Sequence, residues 1–201
     1  MTFDELPRNH FGAILADPPW HFQVWAGARR DGAGNMSSAK APDYDCMKDS
    51  DIAALPVASL AAQDCVLFMW TCWPVLRRSF DILDAWGFTY KTCAFSWLKA
   101  DPYRLFVFDE DIFKGLGYWT RANTEPCLLA VRGKPKRQSA NVLQGIVAKR
   151  REHSRKPDGI HARIERLVAG PYLELFARSR REGWTSWGNE VDKFPESKVS
   201  A

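Results

Sequence analysis

The sequence lacks the features of several large protein classes. Its five cysteines form no C-x-x-C pair and do not cluster with the four histidines, which argues against a disulfide framework and a zinc site. No run approaches the roughly 20 apolar residues of a membrane span. The opening MTFDELPRNH has no basic segment followed by an apolar one, as a signal peptide has. We therefore expect a cytoplasmic protein with no metal ion and no membrane contact.

The sequence also contains no G-x-G-x-x-G motif, which is the commonest signature of nicotinamide-cofactor binding.

The formal net charge of +4 is small, but nine basic residues and one acidic residue, Glu152, lie between positions 132 and 156. Such a cluster suits a polyanion, and it is equally compatible with a solvated loop and strand edge. The basic residues of this cluster are Arg132, Lys134, Lys136, Arg137, Lys149, Arg150, Arg151, Arg155 and Lys156.

Aromatic residues are also numerous: nine Trp and twelve Phe exceed what packing requires.

Short β-type runs alternate with helix-type segments, which is typical of an α/β sheet. We assign residues 1–193 to one domain and residues 194–201 to a polar, frayed tail. Segments 21–43 and 100–118 are predicted as long loops. Helices are predicted within 50–60, over 75–86, and from Pro157, at the first helical position, to before Gly170. The predicted strands, about seven in number, are 13–16, 65–71, 88–98, 126–131, 141–148, 172–177 and 185–188.

The tetrapeptide Asp17-Pro18-Pro19-Trp20 follows the first apolar strand, where two prolines prevent further ladder hydrogen bonding. Ligands bind open α/β sheets at the carboxyl ends of strands. The Asp17 carboxylate and the Pro18 carbonyl are two acceptors for the hydrogens of an aromatic amine, whose lone pair must be localised before it attacks a methyl group. Trp20 offers a ring face to adenine. The alternative is an ordinary turn, since Asp and Pro both favour turns.

With these motifs the sequence resembles the adenine-N6 methyltransferase family, which includes the catalytic subunit of the eukaryotic messenger-RNA methyltransferase and many bacterial and phage DNA members. The resemblance implies a Rossmann-like sheet with the catalytic motif placed before the cofactor motifs. It rests on ILADPPW, YDCM at Tyr44, VLFMW at Val66, FSWLK at Phe95, GYWTRANTEPCLLAVRGKP at Gly117, SRKPDGIHARIERL at Ser154 and LELFARSRREGWTSWGNE at Leu173.

The resemblance also implies S-adenosylmethionine as cofactor and names its contacts. Lys156 corresponds to a lysine near the methionine carboxylate, Arg178 to a strand-end cofactor contact, and Asn189 and Glu190 follow the last strand, where they suit ribose hydroxyls. Asp17 contacts either the cofactor or the adenine. The alternatives are a solvated surface lysine for Lys156 and a polar turn for the Asn189-Glu190 pair.

For the substrate, the resemblance points to aromatic and charged residues around the same loop. Tyr44 and Trp70 match aromatic positions near the pocket, although core packing suits Trp70 better because it lies in an apolar strand. Glu125 matches a carboxylate that faces the catalytic side, or it is a loop-end charge. Arg29 and Arg30, with the cluster at 132–156, are predicted to bind phosphates.

The leading hypothesis is therefore methyl transfer to the N6 amino group of adenine in DNA by residues of the DPPW motif. RNA is the alternative substrate, and a catalytically silent nucleic-acid-binding paralogue is the alternative from another class. A protein amide or small amine fits less well, because of the basic cluster and of Trp at the fourth motif position. Both a homodimer and a heterodimer are compatible with the sequence.

Overall fold

The structure is a computed structural model that describes residues 2–22, 45–101, 103, 112–115, 119–152 and 155–195. Within these ranges seven strands form one sheet in the order β5-β3-β4-β2-β1-β6-β7, which confirms the predicted α/β class. The strands are β1 (Phe11–Ala16), β2 (Ala61–Trp70), β3 (Thr89–Lys99), β4 (Thr124–Arg132), β5 (Gly145–Ala148), β6 (Tyr172–Leu175) and β7 (Trp184–Trp187).

One strand of the sheet, β4, is reversed. It pairs antiparallel with β2 and with β3, whereas every other strand pairing is parallel. The start of β4 therefore lies beside the carboxyl ends of its neighbours, with Glu125 opposite Trp97 and Thr124 opposite Leu98. We call this rim of the sheet the carboxyl edge, and the opposite rim the amino edge.

Apolar side chains cover both faces of the sheet because they alternate along its central strands. In β1 and β2, Ile14, Leu67 and Met69 belong to one buried cluster, and Leu15 and Phe68 belong to the other. The first cluster packs against helices α1 (Asp49–Ala53) and α2 (Leu76–Ala85), and the second against α3 (Gly159–Leu167). Helices thus lie on both faces, as predicted.

The amphipathic pattern that predicts α2 is borne out, and the helix ends where the sequence indicates. Ile82 and Leu83 are its buried apolar residues. Gly87 follows with a φ of 76°, a left-handed conformation that glycine adopts without steric strain. The Phe88 amide then donates to the Leu83 carbonyl at 2.9 Å, which completes the C-terminal cap and leads the chain into β3.

Several predicted boundaries differ from the structure, and those of α3 and β5 affect the segments that lead to the site. Helix α3 begins at Gly159 with Asp158 as its N-cap, so Pro157 precedes the helix instead of opening it. The Asp158 carboxylate makes no capping hydrogen bond and instead accepts from Arg151 at 2.6 Å. Strand β5 starts at Gly145, four residues later than the predicted start at Asn141, and its Val147 side chain is exposed.

The basic residues between 132 and 156 do not form one surface, which corrects the prediction of a single phosphate-binding cluster. Because β4 is reversed, its last residue, Arg132, lies at the amino edge opposite Cys65. The chain returns to the carboxyl edge only through β5, which ends at Ala148. The sequence cluster is therefore divided between the two rims. Lys134, Lys136 and Arg137 follow the end of β4, and Lys149, Arg150, Arg151, Arg155 and Lys156 follow the end of β5.

Within the residues that the structure describes, no helix is both long and apolar enough to cross a membrane.

Candidate active site

The DPPW loop begins directly after β1 at the carboxyl edge and is held on both sides. The Trp20 amide donates to the Pro18 carbonyl at 2.8 Å, and the Met47 amide donates to the Pro19 carbonyl at 2.9 Å. A carbonyl oxygen has two lone pairs, so Pro18 keeps one acceptor position for a ligand. The loop is therefore a rigid support whose acceptor groups have a fixed direction.

Trp20 does not present a free ring face, which corrects the prediction that it stacks on adenine. Its side chain is 3% exposed and belongs to the apolar core. The indole N–H donates to the Trp70 carbonyl at 3.0 Å, and this bond ties the end of the loop to the end of β2. An aromatic ring can stack on a base only where a face is open, so the geometry makes Trp20 an anchor of the loop.

Charged side chains of alternating sign meet at Asp17. Lys156 Nζ donates to Asp17 Oδ2 at 2.8 Å and lies 3.5 Å from Glu125 Oε2. The other oxygen of Glu125 accepts from Lys99 Nζ at 2.5 Å. The four formal charges cancel, which lets two carboxylates remain ionised in a site where each side chain is 24% exposed or less.

Burial and charge shift the two carboxyl groups in opposite directions. Burial raises the pKa of Asp17 above its ordinary value, the neighbouring Glu125 adds to this, and Lys156 opposes both without cancelling them. Burial acts on the pKa of Glu125 in the same direction, but Lys156 and Lys99 together outweigh it, so the pKa of Glu125 is lowered. Asp17 is therefore the group that takes up a proton first on acidification.

A cavity of about 430 Å³ opens beside the DPPW loop. This volume lies within the range of about 300–1,000 Å³ that is usual for small-molecule sites. One wall consists of the strand-end loops after β6 and β7, and the opposite wall of the DPPW loop and the segment that packs on it. The lining residues are Asp17, Pro18, Pro19, Asp45, Cys46, Met47, Phe176, Ala177, Arg178, Trp187, Asn189, Glu190 and Lys193.

Two backbone features shape the wall formed by β6 and β7. Phe176, the first residue after β6, has a φ of 62°, a conformation that is strained for a bulky residue and is found mainly at functional sites. A Cβ on Gly188 would lie 2.4 Å from the Ala177 carbonyl oxygen, so only glycine fits where the two loops cross. This crossing brings Asn189 and Glu190 to the cavity.

Glu190 takes part in an ionic cluster on the cavity wall. Its carboxylate accepts from Lys193 Nζ at 2.5 Å and lies 3.2 Å from Arg178 Nε. The Lys193 ammonium, with help from Arg178, holds the pKa of Glu190 below its ordinary value. Arg178 also lines a narrower recess of about 50 Å³, which Lys156 and Trp70 line as well. Together with Asp17 and Phe176, it therefore borders both spaces.

The narrower recess is lined by aromatic residues, Trp70 and Phe194 among them. Trp70 is 1% exposed and core-packed, as its apolar surroundings predict, with Lys156 Nζ 5.7 Å from its ring centre. Phe194, predicted to begin a frayed tail, instead contacts two guanidinium groups. Arg155 and Arg178 are 4.7 and 4.9 Å from its ring centre, and its amide donates to the Arg178 carbonyl at 3.0 Å.

The structure brings most of the predicted site residues to one place. Tyr44, Arg29 and Arg30 lie outside the described residues. Lys99 and Phe176 belong to the quoted motifs, yet no role was predicted for them, because their places at the site follow from the reversal of β4 and from a backbone dihedral angle. The predicted residues found around the two spaces, or joined to them through the ion pairs, are Asp17, Pro18, Pro19, Trp70, Glu125, Lys156, Arg178, Asn189 and Glu190.

The sheet order and the strand-end cavity are consistent with an α/β methyltransferase that has a Rossmann-like sheet. Residues 11–190 match the MT-A70 family, and the chain therefore belongs to that family. It is similar to the Type II methyltransferase M.MunI of Mycoplasma sp, with 33% identity over 98% of this chain and 84% of that protein.

Eukaryotic relatives are similar over most of this chain but are much longer. The N(6)-adenosine-methyltransferase MT-A70-like protein of Arabidopsis thaliana is 29% identical over 90% of this chain and 24% of its own length. The catalytic subunit METTL3 of Homo sapiens is 27% identical over 90% of this chain and 28% of its own length. The chain thus spans about a quarter of these two relatives.

Proposed function

We propose that this chain transfers a methyl group from S-adenosylmethionine to the N6 amino group of adenine in DNA. The observation that carries this proposal is the cavity beside the DPPW loop. Asp17 and Pro18, which carry the two oxygen acceptors, line the same space as the strand-end residues Asn189, Glu190 and Arg178. Acceptors for an amine and partners for a nucleoside-like cofactor thus surround the same cavity.

The donor set of the cavity fits S-adenosylmethionine. Lys156, in the adjoining recess near Asp17, is the cation for the methionine carboxylate, and Arg178 is a second cation, after the end of β6. Asn189 and Glu190 are an amide and a carboxylate for ribose hydroxyls. The bound cofactor supplies an electrophilic methyl group, and the protein supplies orientation and exclusion of water.

The chemical contribution of the chain is to localise the lone pair of the amine. Adenine's amino nitrogen shares its lone pair with the ring, and two acceptors at its hydrogens oppose that delocalisation. Asp17 accepts best when ionised, and its ion pair with Lys156 supports that state against the effect of burial. Because a base in a duplex is stacked, the adenine must be flipped out or come from a single strand.

DNA is favoured over RNA by the higher identity of the chain to the Type II methyltransferase, 33%, against 29% and 27% for the two adenosine methyltransferases. This order agrees with the resemblance to the bacterial and phage DNA members of the family. Exposed Lys149 and Arg150 at the carboxyl edge are suitable for phosphate contacts.

The test is incubation of the purified chain with isotope-labelled cofactor and single-stranded DNA, duplex DNA or RNA, followed by nucleoside mass spectrometry. We expect labelled N6-methyldeoxyadenosine from DNA. Asp17→Ala should reduce its formation at least about 100-fold, the usual loss when a transition-state acceptor or donor is removed. Asp81→Ala, an exposed carboxylate on α2, is the matched control and should retain activity.

Other results would change the assignment in defined ways. Label found only in adenosine from RNA would replace the DNA substrate with RNA. No label, together with no heat of S-adenosylmethionine binding in calorimetry, would identify a silent paralogue. Unchanged turnover by Asp17→Ala would remove Asp17 from the mechanism, and label on a base other than adenine would refute the proposed substrate.

A further inference from the structure

Trp73 has a large, exposed aromatic side chain that is nevertheless held in place by hydrogen bonds. It lies three residues beyond the last residue of β2, at the carboxyl edge, and is 50% exposed. Its indole N–H donates to Thr124 twice, to the carbonyl at 3.1 Å and to the hydroxyl at 3.0 Å. The hydrogen bonds fix the edge of the ring while half of the side-chain surface stays in water.

The position of Trp73 connects it to the catalytic charges. Its hydrogen-bond partner Thr124 precedes Glu125, which lies 3.5 Å from Lys156. The Thr71 amide donates to the Pro126 carbonyl at 3.0 Å, so the chain leading to Trp73 runs beside the start of β4. Trp73 is therefore held by the strand that supplies Glu125, yet it does not line the cavity beside Asp17.

Exposed aromatic side chains are concentrated on this rim. Among the described residues, the four large aromatic side chains that are most exposed are Trp73, Tyr90, Tyr103 and Trp119. Three of them lie on connections at the carboxyl edge, after β2 or between β3 and β4, and only Tyr90 lies near the amino edge, at the start of β3. Exposed apolar groups that are rimmed by polar residues mark binding surfaces.

Positive charge accompanies the aromatic side chains on the carboxyl edge. Arg77 lies in the first turn of α2, four residues after Trp73. Arg121 lies between Trp119 and β4, and Lys149 and Arg150 follow β5; all of these side chains are exposed. Asp101 pairs with Lys149 at 2.8 Å. Basic groups between aromatic faces are the composition of surfaces that bind an unpaired nucleic-acid strand.

We propose that Trp73 is a stacking platform for the nucleobase that flanks the target adenine in the substrate strand. This inference rests on the proposed function. The target amine must reach Asp17 and Pro18 in the cavity, whereas Trp73 stands outside it, so the base that Trp73 receives is a neighbour of the target. A fixed indole meets this base without losing rotamer freedom, since its edge is already bound to Thr124.

The test combines substitutions at Trp73 with abasic scanning. A labelled single-stranded oligonucleotide with one adenine is bound and methylated, with each flanking nucleotide replaced in turn by an abasic one. We expect Trp73→Ala to weaken binding and raise KM by about 5- to 150-fold, the equivalent of one stacked base, with a smaller change in kcat. Trp73→Phe should remain within about threefold, because a ring is retained.

A double-mutant cycle separates stacking from a structural effect of the substitution. On the one oligonucleotide that lacks the stacked base, Trp73→Ala should cause no further loss. Tyr90→Ala, an exposed aromatic near the opposite rim, should leave binding and methylation unchanged on every oligonucleotide. Thermal unfolding of Trp73→Ala should resemble that of the unchanged protein, as expected for a half-exposed side chain.

Three results would overturn the stacking inference. If Trp73→Ala bound the oligonucleotide as strongly as the unchanged protein does, Trp73 would be excluded as a stacking platform. If Trp73→Ala lost the same binding affinity on every abasic oligonucleotide, the effect of the substitution would be non-specific. If the unchanged protein methylates DNA while either result holds, only this inference fails. If it neither binds nor methylates any oligonucleotide, the proposed function fails with it.

Discussion

Lys156 and Asp17 form a hydrogen-bonded ion pair of 2.8 Å although 139 residues separate them in the sequence. The pair joins the loop after β1 to the segment that precedes α3, on opposite sides of the strand-end opening. Glu125 competes with Asp17 for the same ammonium group at 3.5 Å. The protonation of Asp17 therefore depends on two neighbours of opposite charge, which can be removed separately.

The acid limb of the pH profile should move in opposite directions in two variants. The proposed mechanism needs Asp17 in its ionised form, and burial raises the pKa of Asp17. On acidification, kcat/KM should therefore begin to fall at a higher pH than it would with an ordinary aspartate. Glu125→Gln removes a negative neighbour, lowers the pKa of Asp17 and shifts the limb to lower pH. Lys156→Gln removes the stabilising cation and shifts the limb to higher pH.

The measurement is kcat/KM against pH for the three proteins, since this parameter reports ionisations of the free enzyme. Asp81→Ala serves as a control that should keep the original limb. A shift in the same direction for both variants would show that Asp17 is not the titrating group.

Trp20 should behave as a core residue in unfolding experiments. Its side chain is buried and its N–H is bonded to Trp70, so Trp20→Ala should lower the free energy of unfolding by about 3–5 kcal/mol. Trp20→Phe keeps most of the volume, loses the hydrogen bond and should lower it by about 1–2 kcal/mol. Urea unfolding measures both values.

Half-exposed Trp73 provides the comparison for Trp20. Trp73→Ala should change the free energy of unfolding by less than about 1 kcal/mol. If Trp20→Ala were as stable as the unchanged protein, the buried placement of the Trp20 ring would be wrong. The prediction that Trp20 stacks on adenine would then stand.

The sequence predicted the class of fold, the strand-end position of the DPPW loop and the helices on both faces. These follow from periodicity and from proline and glycine positions, which act locally. The reversal of β4 was not predicted, because the residues of β4 are apolar on both faces whichever way the strand runs. The pairing of Lys99 with Glu125, and the separation of the basic cluster onto two rims, depend on that reversal.

Neighbouring arginines, Arg180 and Arg181, should differ strongly in their effect on stability. Arg181 is 6% exposed and donates to both carboxylate oxygens of Glu165, at 3.1 and 3.3 Å, whereas the pair between Arg180 and Asp192 is solvent-exposed. Arg181→Ala leaves Glu165 without its cation and should lower the free energy of unfolding by about 1–3 kcal/mol.

Arg180→Ala is the matched control for Arg181→Ala, and we expect no measurable change in its free energy of unfolding, because the pair with Asp192 is exposed to solvent. Thermal or urea unfolding of both variants measures the difference. Equal values for the two would mean that the buried pair does not contribute more than an exposed one.

Phe194→Ala should weaken cofactor binding although this residue was expected to lie in a frayed tail. The ring holds the guanidinium groups of Arg155 and Arg178 by cation–π contacts, each worth about 0.5–1 kcal/mol. Loss of one such contact corresponds to a rise in Kd of about two- to fivefold. Calorimetry with S-adenosylmethionine measures this Kd.

Phe194→Tyr keeps the ring and is the control for Phe194→Ala, with a Kd close to that of the unchanged protein. An unchanged Kd in Phe194→Ala would show that Arg178 is positioned by its other contacts alone.

Because β4 runs against its neighbours, the connection from β3 leaves and re-enters the sheet at the same rim. The Lys99 amide donates to the Asn123 carbonyl at 3.0 Å, which closes the base of this connection. Its length and composition can therefore change during evolution without any strand losing register, since long insertions in closed loops cost little free energy. Under the proposed function, substrate choice can thus diversify on this scaffold while the DPPW loop stays constant.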